Sequence, residues 1–178
     1  MTPSRLLLYA LTGCLLLPLP TRAATTPALT FTVSAVITKG CAFGSSPVSP
    51  ITSLGTLNFG SFASLPSNVD IASSSGAGSV VVTCTPGTAV SIAMDYGTHG
   101  GSSTQRYMAN AAGTETLRYQ LYQDSARSQV WGNGALAMSI ASFPATTQTY
   151  TVYGRLFAAS TLPSAGTYTD TVTVTLTY

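Results

Sequence analysis

Cys41 and Cys84 are the residues whose chemistry is easiest to read from the sequence. The third cysteine, Cys14, lies in an apolar N-terminal stretch that reads as a removable leader, which leaves an even pair in an exported chain. Such a pair is most simply a disulfide rather than two free buried thiols, and its loop-closure entropy is worth roughly 4 kcal/mol. The other reactive candidates have no companions at a useful spacing. His99 is the single histidine and sits in Gly97-Thr98-His99-Gly100-Gly101. A metal centre needs further ligands, and a nucleophile–base pair needs an orienting group. The sequence supplies neither, so His99 reads as an exposed loop residue without a partner. Asp95 and Asp124 adjoin turn sequences, where aspartate caps local backbone groups, and Asp170 is expected in a structural ion pair with Arg155 or Arg118. The Gly-rich stretches lack the lysine and following helix of a phosphate cradle. Trp131, the one tryptophan, reads as core rather than as a ligand-stacking surface. No catalytic residue, cofactor site or metal site is expected, and the chain does not read as an enzyme.

The leader sets the compartment. Met1 to Arg5 is a short n-region, Leu6 to Leu19 is almost wholly apolar, and small residues follow Pro18 and Pro20. This predicts a secretory signal peptide over 1–23, too short and Pro-interrupted for a membrane span. Leu11-Thr12-Gly13-Cys14 also has the form of a lipobox, which would instead place a lipid anchor on Cys14. Arg5 and Arg22 leave with the leader, after which basic residues match the five acidic ones. Without a basic patch, nucleic acid is excluded as a partner. Charged residues are 7% of the chain, against about 25% in ordinary soluble domains. So neutral a surface is poor at keeping sheet edges apart and suits a protein that assembles.

Residues 24–178 read as a single all-β domain. Apolar residues recur with period 2, Thr and Val are abundant, and Gly, Pro, Ser and Asn punctuate them. Leu29, Phe31, Val33, Ala35 and Ile37 alternate with polar residues. So do Val80, Val82 and Cys84; Val90, Ile92 and Met94; and Leu117, Tyr119 and Leu121. One strand is expected from Tyr150 through Val152 and Gly154 to Leu156. The last strand carries Tyr168, Asp170, Val172, Val174, Leu176 and Tyr178 on one face and threonines on the other. Asn133-Gly134 signals a tight turn. Short strands with frequent turns in a chain of this size predict an immunoglobulin-like β-sandwich.

Seven segments occur in an order that resembles a known family: the strand before Cys41, LGTLNFGSF (54–62), VVVTCTPG (80–87), RYMAN (106–110), LRYQLYQDSARSQVWGNG (117–134), TVYGRL (151–156) and AGTYTDTVTVTLTY (165–178). Together they resemble the spore coat protein U domain, the fold of archaic (Csu-type) chaperone–usher pilus subunits. The resemblance implies an incomplete immunoglobulin-like sandwich, completed by donor strand exchange with a neighbouring subunit. It implies a donor strand within 24–37, with Leu29, Phe31, Val33, Ala35 and Ile37 as teeth. By residue pattern alone, Phe31 to Ile37 is equally the first strand of its own domain. It further implies a chaperone-recognition strand at Val172, Val174, Leu176 and Tyr178, ending in the terminal carboxylate. The implied partners are a periplasmic pilus chaperone, an outer-membrane usher and a homo- or hetero-polymer of like subunits, at the cell surface or secreted. A secreted binding module or tip adhesin is the alternative, although a tip subunit usually carries an additional receptor domain.

Overall fold

The computed structural model describes residues 29–46, 49, 51–145 and 147–178. The expected leader, 1–23, lies outside the described residues. The chain divides into two units, residues 1–36 and 37–178. In the first, residues 29–36 have no regular secondary structure and are exposed throughout. Read as the first strand of its own domain, Phe31 to Ile37 would be paired, yet the first strand begins at Cys41. Alternation makes a segment fit for pairing, but a strand persists only against an edge that completes its hydrogen bonds. No ladder among the described residues includes 29–37.

The described residues of the second unit form ten short strands: β1 Cys41–Phe43, β2 Val69–Ala72, β3 Val80–Cys84, β4 Val90–Met94, β5 Arg106–Ala109, β6 Thr116–Tyr122, β7 Met138–Ile140, β8 Gln148–Tyr150, β9 Tyr153–Leu156 and β10 Val174–Thr177. They form three antiparallel sheets, ordered β1-β3-β8, β10-β4-β7 and β2-β9-β6-β5. Alternation decides which faces are buried. Val80 and Val82 on β3, and Val90, Ile92 and Met94 on β4, enter a shared core, while their neighbours are only half-buried. Trp131 is fully buried in that core and donates its Nε1–H to the Ile92 carbonyl at 2.9 Å, so its one polar group is satisfied.

Two departures from the expected strands have local causes. The run from Tyr150 to Leu156 is not one strand but two, on different sheets. Tyr150 pairs with Val80, whereas Gly154 and Leu156 lie between β2 and β6. At the crossing, Val152 N–H donates to Ser73 Oγ at 2.7 Å and Ser73 N–H donates to the Val152 carbonyl at 2.9 Å. These bonds satisfy main-chain groups that the ladders leave behind. Asn133-Gly134 opens a single 3₁₀ turn, Gly134–Leu136, rather than joining two paired strands.

Candidate functional site

β1 and β3 place Cys41 directly opposite Cys84, and the two are joined, with S–S 2.06 Å and Cα–Cα 4.1 Å. The bond ties the start of the second unit to the central strand of its sheet. A concave feature lies elsewhere. A cavity of about 850 Å³ is walled by segment 54–63, by residues of β6 and β9, and by the stretch from Leu162 to Val174. Leu57, Phe59, Leu121, Leu156, Val172 and Val174 give it an apolar lining. Segment 54–63 forms no ladder of its own, yet Leu57 and Phe59 point inward while Thr56 and Asn58 are exposed. Phe59 meets Tyr119 edge-on, with ring centroids 6.1 Å apart.

Beside this groove runs β10, the edge strand of its sheet, with β4 as its one partner. Asp95 N–H donates to the Thr173 carbonyl at 3.0 Å, and Thr173 N–H donates to Asp95 Oδ1 at 2.9 Å. Main-chain groups alternate edges with period 2, so those of Thr173, Thr175 and Thr177 face β4. Those of Val174 and Leu176 face the opposite, open edge. The same two residues also turn half-buried side chains toward the core. Hydrogen-bonding edge and apolar wall are therefore the work of one short strand.

The charged residue in the groove's lining is Asp170, whose side chain is 2% exposed. Its Oδ1 accepts from Thr98 N–H, Thr98 Oγ1 and Thr171 N–H, all at 2.9 Å, and lies 2.9 Å from His99 Nδ1. Its Oδ2 accepts from the Tyr119 hydroxyl at 2.6 Å. Burial, and then the bond to Asp170, push the Tyr119 phenol far above its ordinary range and keep it a donor. This corrects two expectations. His99 has a carboxylate partner, and Asp170 pairs with neither Arg155 nor Arg118. Arg155 lies opposite Asp70 in the β2–β9 ladder and binds it through two bonds of 2.7 and 2.8 Å. The His99–Asp170 contact spans 71 residues, so no spacing rule could have signalled it.

Ser164, in the same wall, donates its N–H at 3.2 Å and its Oγ–H at 3.1 Å to Glu115. The backbone bond from Ser164 leads the effects that hold this carboxylate below its usual range. Only one backbone bridge, Ala109 to Thr169, accompanies these side-chain ties. Among the described residues no group of three or more His, Cys, Asp or Glu could hold a metal ion.

Sequence comparison gives this groove a family. The model of the Spore Coat Protein U domain matches residues 28–175. The chain belongs to the Spore Coat Protein U domain family. Protein U of Myxococcus xanthus is 37% identical over 136 residues, which cover 70% of this chain and 72% of Protein U. The domain also superposes on a crystal structure of the CsuC–CsuE chaperone–tip adhesion subunit pre-assembly complex from archaic chaperone-usher Csu pili of Acinetobacter baumannii. That match has a TM-score of 0.52 at 23% identity and covers 80% of this chain and 40% of the solved one. At that distance the likeness is one of fold, an all-β immunoglobulin-like sandwich, and this chain spans two fifths of the solved chain. No helix among the described residues of this Spore Coat Protein U domain is long and apolar enough to cross a membrane.

Of the residues singled out by sequence, Leu29, Phe31, Val33 and Ile37 are 95%, 87%, 81% and 88% exposed. Val172, Val174 and Leu176 pack against the core, while Tyr178 is mostly exposed. Sequence reading missed Arg106, which is fully buried. Its Nη2 donates to the Asp95 and Trp131 carbonyls at 2.6 and 2.7 Å, its Nη1 donates to Gln120 Oε1, and the guanidinium lies 5.2 Å from the Tyr96 ring centre. Its position as first residue of the RYMAN segment was the available signal, but nothing local distinguishes a buried arginine from a solvated one.

Proposed function

We propose that this chain is a structural subunit of a bacterial surface fibre of the archaic chaperone–usher kind, polymerising by donor strand exchange. One observation carries the reading: an apolar groove lies beside an open strand edge in a chain that also presents an exposed, alternating apolar segment. Residues 24–37 of one copy lie along β10 of the next, where Val174 and Leu176 offer main-chain donors and acceptors. Leu29, Phe31, Val33, Ala35 and Ile37 are the candidate teeth. Each large side chain fully buried contributes ~1.5–3 kcal/mol, and the new ladder adds hydrogen bonds shielded from water. Before assembly the same edge, through Val172, Val174, Leu176 and Tyr178, is the surface a periplasmic chaperone pairs with, ahead of an outer-membrane usher. The chain is exported through the periplasm, and its role is mechanical rather than enzymatic.

The test compares neighbours on opposite faces of the donor. Val33→Asp places an unpaired carboxylate in an apolar groove, costs several kcal/mol and blocks fibre formation. Thr32→Asp, on the other face, is far milder. Fibre length and resistance to denaturant, followed by electron microscopy and gel shift, read the difference. Fibres of ordinary length from Val33→Asp protein would sink the donor assignment.

A further inference from the structure

We infer that the loop Gly97-Thr98-His99 is a cradle for the Asp170 carboxylate, and that Asp170, so held, is a positioning residue that fixes the open edge of β10 for its incoming strand. The inference rests on the groove being a strand-accepting site and adds what prepares it. Asp170 lies two residues before Val172 and four before Val174, both of which line the groove, and it is itself part of the wall. Past Thr169 the wall has no sheet partner until Thr173 meets Asp95. Over that gap the chain is fixed by its own side chain. Donors from the 97–99 loop and from β6 converge on a single carboxylate with almost no exposure. Arg106 on β5 faces the same region, but its hydrogen bonds go to Asp95, Trp131 and Gln120.

The fit depends on a missing side chain. Gly97 has φ +80, and a Cβ added there would lie 1.9 Å from Asp170 Oδ2 and 2.7 Å from its carboxyl carbon. Any other residue at 97 therefore expels the carboxylate. Gly100, in the same loop, has φ +75 but nothing within 4 Å of an added Cβ. The two glycines make equal demands on the backbone, and only one demands space for Asp170. An edge held in a single conformation binds a strand more tightly than one that must be ordered on binding, because the ordering cost is met before the encounter.

The experiment measures binding of a fluorescent peptide of residues 24–37 to the full chain and to its variants. Gly97→Ala is expected to weaken binding at least tenfold relative to Gly100→Ala, and to lower the melting temperature further, because it also unseats the hydrogen bonds of Asp170. Asp170→Ala should match Gly97→Ala, and Asp170→Asn, which keeps an acceptor oxygen for Thr98 and turns its amide N–H toward the Tyr119 hydroxyl, should recover part of the loss. Hydrogen exchange at the Val172 to Leu176 amides should quicken in Gly97→Ala and not in Gly100→Ala. Equal affinities for the two glycine variants overturn the inference, and should Gly97→Ala fail to fold, Asp170→Ala binding as tightly as the unaltered chain does the same. Failure of the unaltered chain to bind the peptide overturns the strand-accepting reading, and this inference with it.

Discussion

Arg106 illustrates what a single residue can stake in so small a core. Its charge is removed from water, and burial lowers the guanidinium's affinity for its proton, leaving backbone carbonyls and Gln120 to compensate. Replacement by the smaller, apolar leucine leaves the Asp95 and Trp131 carbonyls without their donor, each costing about 1–3 kcal/mol. Arg106→Leu is therefore expected to lower the urea midpoint by the equivalent of about 3 kcal/mol with little change in m-value. An unchanged midpoint would mean that water replaces the guanidinium. Cys41 and Cys84 were legible because their pairing follows from compartment and number. Arg106, Tyr119 and the His99–Asp170 contact were not, because each acquires its role from partners brought together by the fold. His99 was legible as an exposed loop residue and illegible as a partnered one.

At the scale of elements, alternation located β3, β4, β6 and β10, since each buries one face against a common core. It passed over β2 and β7, short strands of four and three residues whose pairing comes from neighbours more than from their own pattern. It also fused β8 with β9, because a chain that changes sheets keeps its period while exchanging its partner. Segment 54–62 carries part of the family resemblance, but its role as groove wall depends on Gly154, in β9. An added Cβ at Gly154 would lie 2.9 Å from Phe59 Cζ and 3.1 Å from Leu57 Cδ2. Gly154→Ala should then lift the 57–59 stretch from the sheet at a cost of about 1–3 kcal/mol, the usual range for overpacking. Loss of Phe59–Tyr119 nuclear Overhauser contacts with the disulfide intact is the expected signature, and unchanged contacts would refute the seating.

For the molecule as a whole, the titrating groups work in one direction at each end of the pH scale. Asp70, Glu115 and Asp124 are held below the ordinary carboxylate range, chiefly by Arg155, by the Ser164 backbone and by the Gln129 backbone, respectively. A depressed carboxylate stabilises the fold fully above its unfolded value, about 4, and loses that contribution as pH falls through its folded value. Tyr119, raised by burial, stabilises below about pH 10 and loses its contribution as pH rises beyond. Denaturant midpoints from pH 2 to 11 should therefore fall at both extremes. Asp70→Asn should flatten only the acid limb, and slightly, because that pair is partly solvated. A larger midpoint at pH 2 than at pH 6 would contradict the assignment.

Under the proposed donor-strand assembly, in which subunits would be strung end to end, the sulfur bridge has a mechanical meaning. Tension drawn through residues 29–37 of a subunit enters its body at Cys41, and there it passes directly to Cys84 on the central strand β3. The 43-residue span between the two cysteines is left out of the load path. That span corresponds to about 150 Å of extended chain that cannot be paid out while the bond is intact. Pulling tandem subunits in a force microscope should give unfolding steps about 150 Å shorter in oxidised than in reduced protein, and equal steps would show that the load takes another route. A filament so made behaves under sudden drag as a nearly inextensible cable across each of these links, with its slack confined to the residues after Cys84.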